Sequence, residues 1–230
     1  MRNSVIFFLF LFFGNAALRA QAGCTLFYPL DAKVKLEYTY YDKNGNMESK
    51  TRSSVKAVRS LPGGVEAVIF NRIFDKRDKE QFTGEYRVRC EGGLIKMDAT
   101  SMLNPGMQQS LSNMDVDVEG EAFVIPGKMK PGQALPDAKT NIRAAAKGIN
   151  IVDMTVTVTD RKVAGQERVT TPAGTFDCYK ISQTTEVRMM LAKSFASVEY
   201  YAEGLGLVRS ETYDQQGNLE GYMELTAFGQ

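Results

Sequence analysis

From Val34 onward, apolar and polar side chains alternate in twos almost without interruption, the pattern of strands that bury one face. Val34, Leu36, Tyr38 and Tyr40 fall on one face of a strand. Val65, Ala67 and Ile69 repeat the pattern, as do Tyr86, Val88 and Cys90. Val116 with Val118, Ile149 with Ile151, and Met154 with Val156 and Val158 continue it, and further strands read at about 165–171, 175–188, 195–202, 206–213 and 219–227. The expected fold is all-β: a strongly curved antiparallel sheet or a barrel of ten or more strands, with one short helix. That helix has Asn104 as N-cap, Pro105 at its first position, and Met107 to Ser112 as its body.

The turns carry their own chemistry. Asn44-Gly45 and Gln216-Gly217 put glycine where a hairpin needs positive φ, and Pro172-Ala173-Gly174 places proline where φ near −65° is wanted. Pro62-Gly63-Gly64 and Glu91-Gly92-Gly93 also separate strands. The run from Tyr41 to Glu48 echoes the run from Tyr213 to Glu220, so two hairpins near the ends of the domain are expected side by side. Residues 126–140 hold Pro126, Pro131 and Pro136 and read as a loop dividing the sheet. The pairs Lys76-Arg77 and Arg161-Lys162 flank acidic residues and read as solvated loops.

Before this pattern starts, Arg2, the apolar run Val5 to Phe13 and Ala20-Gln21-Ala22 make a secretory leader. A permanent membrane span needs about 20 apolar residues, more than this run supplies. Residues 1–22 are read as a cleaved signal peptide and 23–230 as a single all-β domain, exported to the periplasm or cell surface. A soluble product is expected, since Gln21 stands where a lipoprotein signal wants an aliphatic residue; the alternative is lipidation of Cys24, the one route to the membrane. Cys24, Cys90 and Cys178 are the disulfide candidates. Cys90 pairs with Cys178 if Cys24 is lipidated, and with Cys24 if it is not; a third alternative leaves all three unpaired.

Several chemistries are excluded by composition. The chain has no histidine, so Ser-His-Asp, Cys-His and His-metal sites are impossible. There is no phosphate-binding glycine loop and no CxxC pair, and a formal charge of +1 gives no field for nucleic acid. No cofactor, metal or catalytic residue is expected. Met97, Met102, Leu103, Met107, Leu111 and Met114 gather around the short helix, as a plug for the sheet's open end or a lid over a ligand. Asp115, Asp117, Glu119 and Glu121 alternate with valines, which makes a solvated strand face. Glu199, Tyr200, Tyr201 and Glu203 have a glycosidase flavour, but Glu199 and Tyr201 are expected on the outer face of a strand.

At Thr171-Pro172-Ala173-Gly174-Thr175-Phe176-Asp177-Cys178-Tyr179-Lys180, and again from Tyr200 to Val208, the chain resembles an exported bacterial family known as a domain of unknown function. The likeness covers most of the domain, with Tyr200 where relatives often carry Trp and Asp31-Ala32 where a glycine turn is common. It implies a fold and no activity. By fold analogy it is similar to periplasmic lipoprotein-carrier half-barrels, which hold acyl chains in a concave apolar face. The expected function is an exported non-catalytic module binding a hydrophobic ligand, lipid or acyl chain, with Met97, Met107, Ile149, Met154 and Phe176 as its lining. The alternative is an envelope interaction or scaffold module whose partner is another envelope protein.

Overall fold

The computed structural model describes residues 30, 34–97, 110–111, 113–120 and 123–229. They form one antiparallel sheet of 13 strands. In chain order these are β1 (Lys35–Asp42), β2 (Met47–Leu61), β3 (Gly64–Asp75), β4 (Glu80–Glu91), β5 (Leu94–Met97), β6 (Asp115–Gly120) and β7 (Phe123–Pro126). They continue with β8 (Ala138–Ala146), β9 (Ile149–Thr171), β10 (Gly174–Arg188), β11 (Ala192–Ala202), β12 (Gly206–Tyr213) and β13 (Leu219–Gly229). Sheet order runs β6-β8-β9-β10-β11-β12-β13-β1-β2-β3-β4-β5-β7.

The two edge strands, β6 and β7, are consecutive in the chain with only two residues between them. Three Cα steps span at most about 11 Å, so the sheet must curl until its edges nearly meet at the Gly120–Phe123 corner. The hydrogen-bonded ladder stays open, and the chain itself joins its edges. Gly120 makes the corner possible: its φ is +134°, and a Cβ there would lie 2.3 Å from the Lys139 carbonyl oxygen.

Alternation puts Val65, Ala67, Ile69, Val88, Cys90, Ile95, Phe123, Ile125, Ile142, Met154, Val158, Val163 and Ile181 into one main core. A second cluster joins Val169, Cys178, Tyr200, Leu205, Val208 and Leu225, where the β9–β10 hairpin curls onto β12, β13 and β1. The Phe176 and Phe228 rings, 6.0 Å apart and edge-on, mark that contact.

The stretches read as separate strands at 149–151, 154–158 and 165–171 are one 23-residue strand, β9. It bends without ending: Asp160 sits at φ +55°, and the β9–β10 register slips near Lys180 and Ser182. A one-residue slip turns the opposite side chains inward, so the buried set passes from Met154, Val156 and Val158 to Arg161 and Val163. Arg161 is therefore 2% exposed, which corrects its reading as part of a solvated loop. Residues 127–137 do not divide the sheet. They lead from edge strand β7 to β8, and Gln133 and Leu135 bond the backbone of Arg161 and Val163 as an extension of β8.

The echoed hairpins lie side by side, because β1 pairs with β13 and Tyr41 stacks on Tyr222 at 4.9 Å. Asp42 accepts the N–H groups of Asn44 and Asn46, and Asp214 those of Gln216 and Asn218. Asp75 does the same for Arg77 and Lys79, with Asp78 taking positive φ where the other two turns use glycine. These turns, with those of β8–β9 and β10–β11, share one end of the sheet, here the distal end. β1 begins at the opposite, proximal end. Of the expected helix, Ser110 and Leu111 are helical; Asn104, Pro105, Met107 and Ser112 lie outside the described residues.

Candidate functional site

Charged and polar side chains inside an apolar core are costly unless satisfied, so a buried cluster of them is the first place to look for function. One such cluster spans the seam where the sheet edges approach. From β9, Arg161 Nε donates to Gln183 Oε1 at 3.1 Å, Nη1 to the Pro136 carbonyl at 2.8 Å and Nη2 to the Val124 carbonyl at 3.1 Å. Its guanidinium lies 3.9 Å from the Phe123 ring centre. Gln183 Nε2 passes the chain on to Glu199 Oε1 at 3.1 Å, and the Tyr201 hydroxyl donates to Glu199 Oε2 at 2.9 Å. Residues of β9, β10 and β11 thus reach β7, the far edge strand, through one guanidinium.

The electrostatics follow from burial. Desolvation pulls the Arg161 guanidinium below its usual pKa, opposed chiefly by Glu199. Burial pushes Glu199 up, opposed by the Tyr201 hydroxyl, Arg161 and Gln183. Tyr201 is raised well above the usual value by burial and then by Glu199. Both Glu199 oxygens and all three Arg161 nitrogens have partners, which makes the cluster a latch across the seam. An acid or base acting on a substrate would need a free valence aimed into an open cleft.

The expected outer-face position of Glu199 and Tyr201 is corrected: Tyr201 belongs to the main core and Glu199 bonds beside it. Tyr200 points to the other side and donates to Glu211, while Glu203 is exposed in the β11–β12 turn. The four residues form no carboxylate pair around a shared cleft.

The expected hydrophobic lining does not converge. Met154 is in the main core and Met97 packs against it, Phe176 borders the second cluster, and Ile149 is 70% exposed beside the β8–β9 turn. Met107 lies outside the described residues, as do Met102 and Leu103, while Leu111 and Met114 pack on the main core. A shallow cleft of about 790 Å³ opens instead among polar turn residues including Asp42, Asn46, Asp75 and Arg77. Val116 and Val118 sit on an exposed edge strand, where Glu119 lies 3.5 Å from Arg143; Glu121 lies outside the described residues.

Cys178 is a buried free thiol, so the Cys90–Cys178 pairing is corrected. Its pKa is pushed up to about 11 by burial, then by Asp177 and Glu167, the opposite of an activated nucleophile. Cys90 is buried in the main core, and Cys24 lies outside the described residues.

On the outer face of β2, β3 and β4 a second constellation, unread in the sequence, surrounds Glu66. Arg59 is 2.6 Å, Arg89 2.7 Å and Arg87 3.8 Å from its carboxylate oxygens. Register places Arg59, Glu66, Arg89 and Lys96 in one cross-strand row. The Arg89 hydrogen bond is the main cause that holds the Glu66 carboxyl below its usual value. Alternation of Val58 to Ser60 with Val65 to Ala67 signals the outward face, but the pairing register that assembles the row is not written locally.

Residues 34–225, nearly the whole sheet from the start of β1 into β13, match one family model. The chain belongs to the DUF3108-like family. This DUF3108-like chain is similar in structure to a protein described as exported, with a YmcC-like fold, from Bacteroides fragilis: 24% identity, TM-score 0.76, over 90% of this chain and 100% of that one. It is also similar to a protein described as a lipoprotein from Parabacteroides distasonis, at 25% identity and TM-score 0.75, over 90% of this chain and 99% of that one. No curated protein matches the sequence.

Proposed function

We propose that this DUF3108-like protein is an exported, non-catalytic interaction module of the cell envelope that meets a protein partner through the distal end of its sheet. The observation that carries this reading is the β10–β11 tip, where Met190 is 98% and Leu191 85% exposed, with Met189 beside them. Ile149 and Ile151 are also exposed at the distal end, on the adjoining β9. Clustered exposed apolar side chains of this kind mark interaction sites more often than isolated ones do. The leader and the exported Bacteroides relative support placement outside the cytoplasm. No catalytic activity is indicated for the family.

The carrier reading needs an acyl-sized space inside the curved sheet. Ile95, Ile125, Ile142, Met154, Val158, Val163 and Ile181 are all fully buried against one another there, which favours a filled interior. Native mass spectrometry of the mature protein tests this: the bare polypeptide mass is expected, and a retained or acquired lipid would overturn the proposal in favour of the carrier. A photo-crosslinking residue at Met190 in living cells should give discrete protein adducts that are absent when it is moved to Gln216, a polar turn at the same end. Equal labelling at both positions would refute the assignment of the tip.

A further inference from the structure

Part of the inner surface of the sheet, toward the distal turns, is walled by hydroxyls where the main core is walled by aliphatic side chains. Direct cross-strand partners face the same side of a sheet. From Ile181 in the main core, the inward face therefore passes along one row through Glu199, Ser210, Met223 and Tyr40 to Ser49. Alternation along β2 then returns it through Thr51 to Val55, which is buried in the same core. Two residues along β11 from Glu199, Ser197 faces inward opposite Thr212. Tyr40, Ser49, Thr51, Ser197, Ser210 and Thr212 thus share one stretch of the inner surface.

Two observations separate this wall from packed core. Thr51 is 5% exposed, and no partner closes a hydrogen bond on its buried hydroxyl, although the Tyr40 phenol is near. A close-packed interior does not leave a hydroxyl bare, because the group loses water and gains nothing in return. Burial raises the Tyr38 and Tyr40 phenols, yet both side chains keep surface that water reaches. Side chains that are deep and still wetted line an internal space. Ser49 and Thr212 stand within three residues of the turns at Asn46 and Asp214, which puts its mouth at the distal end. Glu199 brings no free charge to it, since Gln183 and Tyr201 occupy both carboxylate oxygens. What remains is neutral groups that each donate and accept, beside tyrosine rings. That set suits a ligand that is itself neutral and rich in hydroxyls, and it disfavours an acyl chain, which would strip the wall of water without replacing it.

We propose that this part of the interior is a binding basin for a neutral saccharide, hydrogen-bonded by Tyr40, Thr51, Ser197 and Ser210. The inference goes beyond the interaction-module reading, because the basin lies within the curved sheet whereas Met190 stands on an exposed turn.

An array of neutral di- to tetrasaccharides, probed with the secreted protein, tests it. Binding to members of the array is expected, with the same affinity at low and high salt because no charge is involved. Thr51→Val with Ser197→Ala removes two hydroxyls without adding a polar group, and should weaken binding on the order of tenfold with the thermal melt no lower. Should that pair unfold the protein, Tyr40→Phe keeps the ring, removes one hydroxyl and should weaken binding about fivefold. Ser210→Phe fills the basin and should abolish binding in a protein that stays folded. Absence of binding across the array, salt-sensitive binding, wild-type affinity in a folded variant, or unfolding by Ser210→Phe, which would mean that the space is already packed, would each overturn the proposal. None of these outcomes touches the Met190 crosslinking result, so the two readings fail separately.

Discussion

Replacing Arg161 with methionine tests the seam directly. The substitution keeps an unbranched apolar stem in the core and removes a guanidinium that satisfies the Pro136 carbonyl, the Val124 carbonyl and Gln183. Each buried polar group left without a partner costs about 1–3 kcal/mol, and the lost Phe123 contact adds to that. Relief of the guanidinium's own desolvation opposes these losses, so a net cost of about 3 kcal/mol is expected, in line with breaking other buried charge networks. At a urea dependence of roughly 3 kcal/mol per molar, the unfolding midpoint should fall by about 1 M. Hydrogen exchange should localise the loss, with the amides of β7 and of residues 133–135 opening more readily than those of β3 and β4. Glu199→Gln added to Arg161→Met should cost less than the two single changes together, because both side chains bond Gln183 and either change already breaks that chain. A cost below about 1 kcal/mol for Arg161→Met, or strict additivity in the double variant, would refute the latch.

Because burial raises Glu199, its protonated form is favoured in the fold, so its contribution is complete below the ordinary carboxylate range and is lost as pH rises through the folded value. Wild type should therefore lose stability relative to Glu199→Gln as pH rises from the ordinary carboxylate range, and a pH-independent difference would contradict this. Cys178, with its thiol pushed up to about 11 and buried, should resist alkylation in the native protein and react fully in denaturant; fast native labelling would show that the second core cluster is open. Gly120→Ala forces a Cβ to within 2.3 Å of a backbone oxygen at positive φ, and should cost about 2–4 kcal/mol by denaturant titration, whereas a neutral result would mean the edges are not joined as described. Intact mass of the secreted protein should begin at Gln21 or Gly23 and run about two units below its reduced form if Cys24 closes a disulfide on Cys90. A product starting at Cys24 with acyl mass would assign that cysteine to the membrane.

How far the site could be read depends on the range of the interactions involved. Val65, Ala67, Ile69, Val88, Cys90 and Met154 point inward as alternation requires, because alternation is a local property of each strand. The Asp42 and Asp214 turns were equally legible, since their hydrogen bonds close within four residues. Arg161 and Glu199 were misread for the converse reason: a bulge at Asp160 turns Arg161 inward, one between Tyr200 and Tyr201 interrupts the alternation of β11, and the partners of Arg161 come from up to 37 residues away. The Arg59, Glu66, Arg89 and Lys96 row was missed because no one strand contains it.

The sequence by itself determined an all-β chain with its turns in place and histidine chemistry ruled out, because each of those follows from residue type and short spacing. Only the tertiary structure decided that edge strands β6 and β7 meet at Gly120, that Arg161 latches them from inside, and that three arginines crowd one carboxylate outside. Those features arise from register between strands distant in sequence, where a shift of one residue exchanges the inside of the sheet for its outside.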